Sequence, residues 1–323
     1  MLLNKIKFNY YAKIFDDLFA KKNYEEATEL LIKNINNKSL YFPILKYIND
    51  KYLTHYSHNQ FYKKKLFWLI GFDRQDNLYV ENFLKFYFSK LNVNNIALTT
   101  YRDFLNKSLM SFVEKNNLSK ITFEQIVQDS NLYQTGALMN STEDNFILFS
   151  SSVFFEAPNN KYFIYPQTTK SYIYLIRNPL QIYLRNKMIN NNSQESLNII
   201  SQADQNFYSE TNLSDSNFYI PENKQSWNVN VKSWVDENVK STYRGKIIKF
   251  EDLRSSTSDT LAEILFHYKQ AGLNFDLNYD LIEEFISSNS IENDKEDDLS
   301  RKETKIILNN IDKSLLKEFE YQV

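Results

Sequence analysis

The chain has 323 residues, a formal net charge of −2, no cysteine, and 42% hydrophobic and 16% aromatic residues. That is enough apolar material for one large α/β domain or a domain with an appendage, while the near-neutral charge excludes a broad basic field for nucleic acid. Without thiols there is no disulfide framework, and a zinc site would fall to His55, His58, His267 and carboxylates; His55-x-x-His58 has no evident partners, so no metal is expected.

Residues 12–36 read as two amphipathic helices, with Ala12, Phe15, Leu18 and Phe19 on one stripe and Tyr24, Ala27, Leu30, Leu31 and Ile35 on the other. One helical hairpin cannot bury its own face, so it is expected to pack against the main domain. Residues 1–62 are accordingly expected to form an N-terminal helical extension, one able to dock a protein partner, and 63–323 the α/β domain. The opening M-L-L-N-K-I-K-F-N-Y-Y lacks the core and cleavage site of a signal peptide, and a cytoplasmic protein is expected.

Leu66–Ile70 is the longest unbroken apolar run, a strand and far too short to span a membrane. Gly71–Asn77 reads as a turn and Leu78–Leu91 as a helix with Val80, Phe83, Leu84, Tyr87 and Phe88 inside. Strand, Gly-bearing loop and helix is the local topology of a phosphate-binding loop. Ile96–Val113 and Ile121–Gln128 read as helical or mixed. Phe146–Phe149 is a short strand ending in Ser150-Ser151-Ser152, and Tyr162–Tyr165 is a candidate partner strand.

Ser171–Arg185 is the most informative stretch. Tyr172-Ile173-Tyr174-Leu175-Ile176 reads as a strand buried on both faces. Arg177 follows at its carboxyl end, and Pro179 suits the first turn of a new helix. The parts fit an anion site on an open sheet; the plainer alternative is a core strand whose Arg makes a salt bridge. Residues 186–224 are a polar excursion, read as a lid with helix around Ser196–Phe207. Trp227–Asn238 is helical, Gly245–Phe250 a strand ending in Glu251-Asp252-Leu253, and Leu261–Ala271 a helix that Gly272 stops. Residues 287–300 read as an acidic loop and Lys302–Phe319 as the last helix. Strands alternating with helices argue an α/β fold with a mostly parallel sheet flanked by helices.

Three of these segments together resemble the sulfotransferases that use 3′-phosphoadenosine 5′-phosphosulfate (PAPS). Ile173–Leu180, Y/I-rich and ending in Arg177-Asn178-Pro179, is similar to that family's strand and helix at the donor's 3′-phosphate. Residues 67–84 resemble its 5′-phosphosulfate loop, commonly P-K-S-G-N/T-T-W, and residues 227–273 its tryptophan-bearing helix and strand ending in Tyr-Glu-Asp-Leu. The resemblance implies a P-loop-type sulfotransferase fold, binding of PAPS or 3′,5′-ADP without metal, and a carbohydrate or small-molecule hydroxyl as acceptor. It would assign Arg74, Asn77, Tyr79 and Arg177 to the donor, with Tyr79 facing the adenine. Arg185 stands where the family usually has a Ser, either as a second phosphate-binding cation or as an exposed helix residue.

The chain also departs from the pattern. Asp73, Gln75, Asp76 and Leu78 replace the Pro, Ser, Gly and Thr of the first loop, although backbone donors approach an anion best where Gly leaves room. At about 5 Å and an effective dielectric of about 20 to 80, each carboxylate would repel a unit negative charge by roughly 1–3 kcal/mol. Asp76 would alternatively cap the helix start. No catalytic residue emerges: Phe149-Ser150-Ser151-Ser152 stands where active relatives carry a Lys-Thr-His-like run, Ser is no base at neutral pH, and nearby Glu156 is a weak substitute. Acidic residues 290–298, then Arg301-Lys302 without Gly, replace the closing Arg-Lys-Gly loop. The expectation is a family member with lost or strongly altered transfer, a pseudoenzyme. The alternatives are an active enzyme with a donor site rebuilt on Arg74, Arg177 and Arg185, and a non-catalytic glycan- or protein-binding scaffold.

Overall fold

The computed structural model describes residues 2–21, 38–48, 64–93, 95–105, 141–154, 168–190, 192–201, 225–291 and 299–321, with short pieces between them. Five strands form the central sheet: β1 (Lys65–Gly71), β2 (Ile96–Thr100), β3 (Asn145–Ser150), β4 (Thr169–Ile176) and β5 (Gly245–Lys249). They lie in the order β2-β3-β1-β4-β5, and every neighbouring pair is parallel. Two-residue ladders pair Lys120–Ile121 with Thr211–Asn212 and Glu156–Ala157 with Lys161–Tyr162, so Tyr162 does pair, in a separate hairpin.

All seven residues of β1 are buried, as are seven of the eight in β4. This is why both read as continuous apolar runs: helices cover each face of a parallel sheet. The pleat sends alternate residues to opposite faces. Leu66, Trp68, Ile70, Tyr172, Tyr174 and Ile176 enter one core. Phe67, Leu69, Ile173 and Leu175 enter the other. On the first face lie α4 (Pro179–Asn190), α5 (Ser193–Ser201), α6 (Trp227–Val235), α7 (Glu237–Tyr243), α11 (Arg301–Asn310) and α12 (Lys313–Glu318). On the second lie α3 (Arg74–Lys90), α8 (Phe250–Ser255), α9 (Thr257–Gln270) and α10 (Tyr279–Ser288). The result is a three-layer α/β/α domain, the expected fold class.

The buried aromatic groups place their polar ends on partners, as interior polar atoms must. Tyr172 Oη donates to Trp234 O, Tyr174 Oη to Asn230 Oδ1 at 2.9 Å, and Tyr268 Oη to Trp68 O at 3.0 Å. These bonds cross from sheet to helix and fix how α6 and α9 sit on the strands.

Some expectations are sharpened or corrected. Of the two readings of Ile96–Val113, helical or mixed, the described part is mixed: Ile96–Thr100 is an edge strand, suited to β-branched Ile96, Thr99 and Thr100, and helix follows at 101–105. The last helix is two, because Asn228 bonds Asn310 O and Asp312 N–H while Asp312 caps a fresh start. Trp227–Asn238 likewise divides at Asp236, which caps α7. Gly272 does stop α9, at φ +103°, where Gly is unstrained.

At the N-terminus α1 (Leu2–Ala20) begins ten residues earlier than its stripe suggested and meets α2 (Lys38–Ile48), with Tyr47 Oη donating to Asp16 at 2.8 Å. Among the described residues, neither core includes one from α1 or α2. Most of the second stripe, His55, His58, Ile121–Gln128 beyond its first residue, residues 202–210 and 213–224 of the excursion, and acidic residues 292–298 lie outside the described residues. Among the described residues no helix is long and apolar enough to cross a membrane, and no group of His and carboxylates could hold a metal ion.

Candidate functional site

The chain leaves β1 toward β2 on one side of the sheet and leaves β4 toward β5 on the other. That divergence opens a crevice at the carboxyl ends of β1 and β4, where ligands bind in open α/β sheets. The residues singled out in the sequence converge here from the β1–α3 and β4–α4 connections.

The first connection is short. β1 runs through Gly71 and α3 starts at Arg74, leaving only Phe72 and Asp73 between them. The expected seven-residue turn is therefore mostly helix. Phe72 is buried in the core, and Asp73 is buried although it directly precedes α3. Asn77, one turn into the helix, is buried beneath Gly71 and donates Nδ2 to Ser150 O at 3.1 Å. A Cβ on Gly71 would lie 2.4 Å from Asn77 Oδ1 and 3.3 Å from Leu175 O. The glycine thus makes room for a neighbouring side chain and strand. Asn77 Oδ1 itself has no hydrogen-bond partner.

Asp73 is paired across the crevice. Arg185 Nη2 lies 2.8 Å from Asp73 Oδ2, with side chains only 10% and 11% exposed. The expectation of an exposed Arg185 is corrected: α4 turns it inward against the end of β1. The repulsion expected from a bare Asp73 is also cancelled, because the guanidinium neutralises it within hydrogen-bond distance. An internal carboxylate holds the cation that one reading makes a second phosphate-binding group.

Arg177 leaves the end of β4 as expected and is buried. Its guanidinium lies over the Phe250 ring, 4.3 Å from the centroid, and Nε donates to Gln181 Oε1 at 3.4 Å. The indole Nε1 of Trp227 donates to Arg177 O at 3.2 Å. Ile176 is in register with Lys249, so Phe250 and Glu251 face Arg177 and Asn178 across the strand ends. Glu251 accepts from Asn178 N–H at 2.9 Å and from Tyr321 Oη at 3.2 Å. Burial raises its pKa, against the lowering effect of the Asn178 N–H and nearby Arg177.

Tyr79 packs edge-on to Phe285 of α10, at 5.3 Å between ring centroids, within the second core. Its hydroxyl is buried without a hydrogen-bond partner, and burial raises its pKa. The side chains of Arg74, Gln75, Asp76 and Glu156 lie outside the described residues. Ser150, Ser151 and Ser152 are buried at the end of β3, and their carbonyls accept from Asn77, Asn230 and Trp234. That segment ties the sheet to α3 and α6.

The crevice thus joins Asp73, Asn77, Arg177 and Arg185. Phe250, Glu251 and Gln181 were not expected there from sequence. The signal for the first two was available in principle: two parallel strands ending in register put the following residues side by side.

No family model matches the chain, and no curated protein matches it. Among solved structures it is similar to mouse sulfotransferase SULT7A1 complexed with PAP, at 12% identity and a TM-score of 0.38, over 79% of this chain and 82% of that one.

Proposed function

We propose that this chain is a sulfotransferase-related protein whose donor site is closed from within, leaving PAPS-dependent transfer lost or strongly altered. The family reading rests on Ile173–Leu180, the Phe250–Leu253 segment in register with it, and a parallel sheet with both at its carboxyl edge. The observation that carries the loss is the Arg185–Asp73 pair, 2.8 Å apart and buried. An incoming phosphate would have to displace a carboxylate already desolvated against its cation, and it would meet Arg177 engaged with Phe250 and Gln181. The two-residue connection after Gly71 also leaves few backbone N–H groups to wrap an anion.

The placing of Arg177 and Arg185 at one end of the sheet supports the second reading, a working transferase with a rebuilt donor site. Isothermal calorimetry with 3′,5′-ADP separates the two. The closed site predicts no heat at millimolar nucleotide; micromolar binding that Arg177→Ala abolishes would establish the second reading instead.

A further inference from the structure

Helix α1 is apolar on two opposite faces. At about 100° per residue, Phe8, Ala12, Phe15 and Phe19 share one of them. Packing takes up that face: Ala12, Phe15 and Phe19 are buried, and Phe8 meets Tyr47 of α2 edge-on at 5.8 Å between centroids. Half a turn round the helix, Ile6, Tyr10 and Ile14 recur at four-residue spacing. Ile6 is 61% and Tyr10 64% exposed, and Ile14 is half-buried. Exposed lysines edge this outer stripe on both sides, Lys7 on one and Lys13 on the other. We propose that the outer face of α1 docks on an anionic lipid bilayer, with the helix lying in the plane of the interface.

Charge decides the kind of partner. Residues 2–15 contain Lys5, Lys7 and Lys13 and no Asp or Glu. The acids come at the far end of the helix. Asp16 is turned to α2, where Tyr47 Oη donates to it at 2.8 Å and Lys51 Nζ lies 2.9 Å away, while exposed Asp17 ends the stripe. An apolar stripe edged by lysines is the form of helix that lies in a bilayer interface. The apolar side chains enter the acyl boundary, and the flexible lysine stems let their ammonium groups reach the headgroups. Tyr10 suits that depth, since its ring sits at headgroup level with the hydroxyl in the wet layer. Tyr11, edge-on to it at 5.5 Å between centroids, is half-buried beside the stripe. The helix lies on the membrane and does not span it, since no helix among the described residues is long and apolar enough to cross.

Size argues against a protein partner. From Ile6 to Ile14 the stripe is about 12 Å long, at about 1.5 Å per residue, on a helix about 10 Å across. That is on the order of 120 Å², against about 800 Å² per partner in a stable protein interface. A bilayer sets no such minimum, because its headgroups also attract the flanking lysines. The inference is independent of the donor site, since neither core contains a described residue of α1.

Co-sedimentation of the full chain with vesicles tests it, using phosphatidylcholine alone and phosphatidylcholine with about one third phosphatidylserine. The chain should pellet with the anionic vesicles and stay in solution with the neutral ones. Salt at about 1 M, where the screening length is about 3 Å, should release much of it. Each lysine near an anionic surface is worth about fivefold in binding, so Lys7→Gln with Lys13→Gln should weaken it roughly 25-fold. Ile6→Ser with Tyr10→Ser, which leaves the face on α2 untouched, should weaken it at least about tenfold. The proposal is overturned if the chain ignores anionic vesicles, if neutral vesicles pellet it equally, or if both double variants pellet like the parent. It is overturned equally if light scattering shows a dimer that the Ile6→Ser, Tyr10→Ser variant dissociates, because the face then belongs to a second copy of the chain.

Discussion

Removing the Asp73 carboxylate should expose how much the crevice depends on an internal anion. In Asp73→Ala the Arg185 guanidinium, 10% exposed, keeps its charge but loses a partner 2.8 Å away. Breaking a buried pair from one side costs about 3–5 kcal/mol, mostly from the charge left behind. The low end, about 3 kcal/mol, applies because both side chains retain some solvent contact. Arg185→Met should cost a similar amount, while the double variant removes both charges and should cost only about 1–3 kcal/mol. Urea unfolding of the four proteins at fixed salt measures the cycle, and a coupling of at least about 3 kcal/mol is expected. Asp73→Ala alone should also acquire sulfate-dependent stability, reaching about 2.7 kcal/mol at a hundred times the dissociation constant. Single variants that each cost under about 1 kcal/mol and add within about 0.5 kcal/mol would show that the pair is incidental and the closure argument unsound.

Two further outcomes follow from close packing and burial. Gly71→Ala should destabilise by about 1–3 kcal/mol through the 2.4 Å approach to Asn77 Oδ1, and Asn77→Ala in the same chain should return part of that loss; additive unfolding energies would contradict the contact. Lys65 is buried, and desolvation, aided by nearby Lys170, lowers its pKa from 10.5 to about 8. The unfolded chain then binds the extra proton between about pH 8 and 10.5, so this residue's contribution to stability increases as pH rises through that window. Lys65→Met should stabilise the protein at pH 7 by about 1–3 kcal/mol, with the advantage shrinking toward pH 10.5; parallel pH profiles for the two proteins would refute this.

The sheet was legible because its strands carry their burial in their composition. Leu66–Ile70 and Tyr172–Ile176 have no polar residue to turn toward solvent, which only a strand covered on both faces tolerates. Ile96–Thr100 reads only as helical or mixed for the converse reason: an edge strand, half exposed, mixes Thr with Ile and Leu and shows no clean period. Arg177 was placed correctly because a strand end followed by Asn-Pro fixes where its side chain starts. Arg185 was not, since a cation in the second turn of a helix reads as solvent-facing unless its partner is known, and that partner is 112 positions earlier. A cleft of about 540 Å³ between α4, the end of β5 and the α11–α12 pair was invisible for the same reason. Asn178, Lys249, Thr304 and Glu320 come from four separate elements, and no local pattern links them.

The position of β1 has a consequence for how the chain assembles. It is the middle strand of the sheet and the first made, yet its partners are β3, which starts at Asn145, and β4, which starts at Thr169. At about 5–20 residues per second, the ribosome needs roughly 4–16 seconds beyond Lys65 to deliver even the nearer partner. For that interval K-L-F-W-L-I-G has both of its hydrogen-bonding edges and both apolar faces unsatisfied, the composition most prone to pair with a neighbouring chain. Lys63-Lys64-Lys65, directly before it, supplies a block of like charge that opposes such pairing. The lysine that is an electrostatic burden in the finished sheet is, on the nascent chain, part of what keeps that strand apart from its own copies.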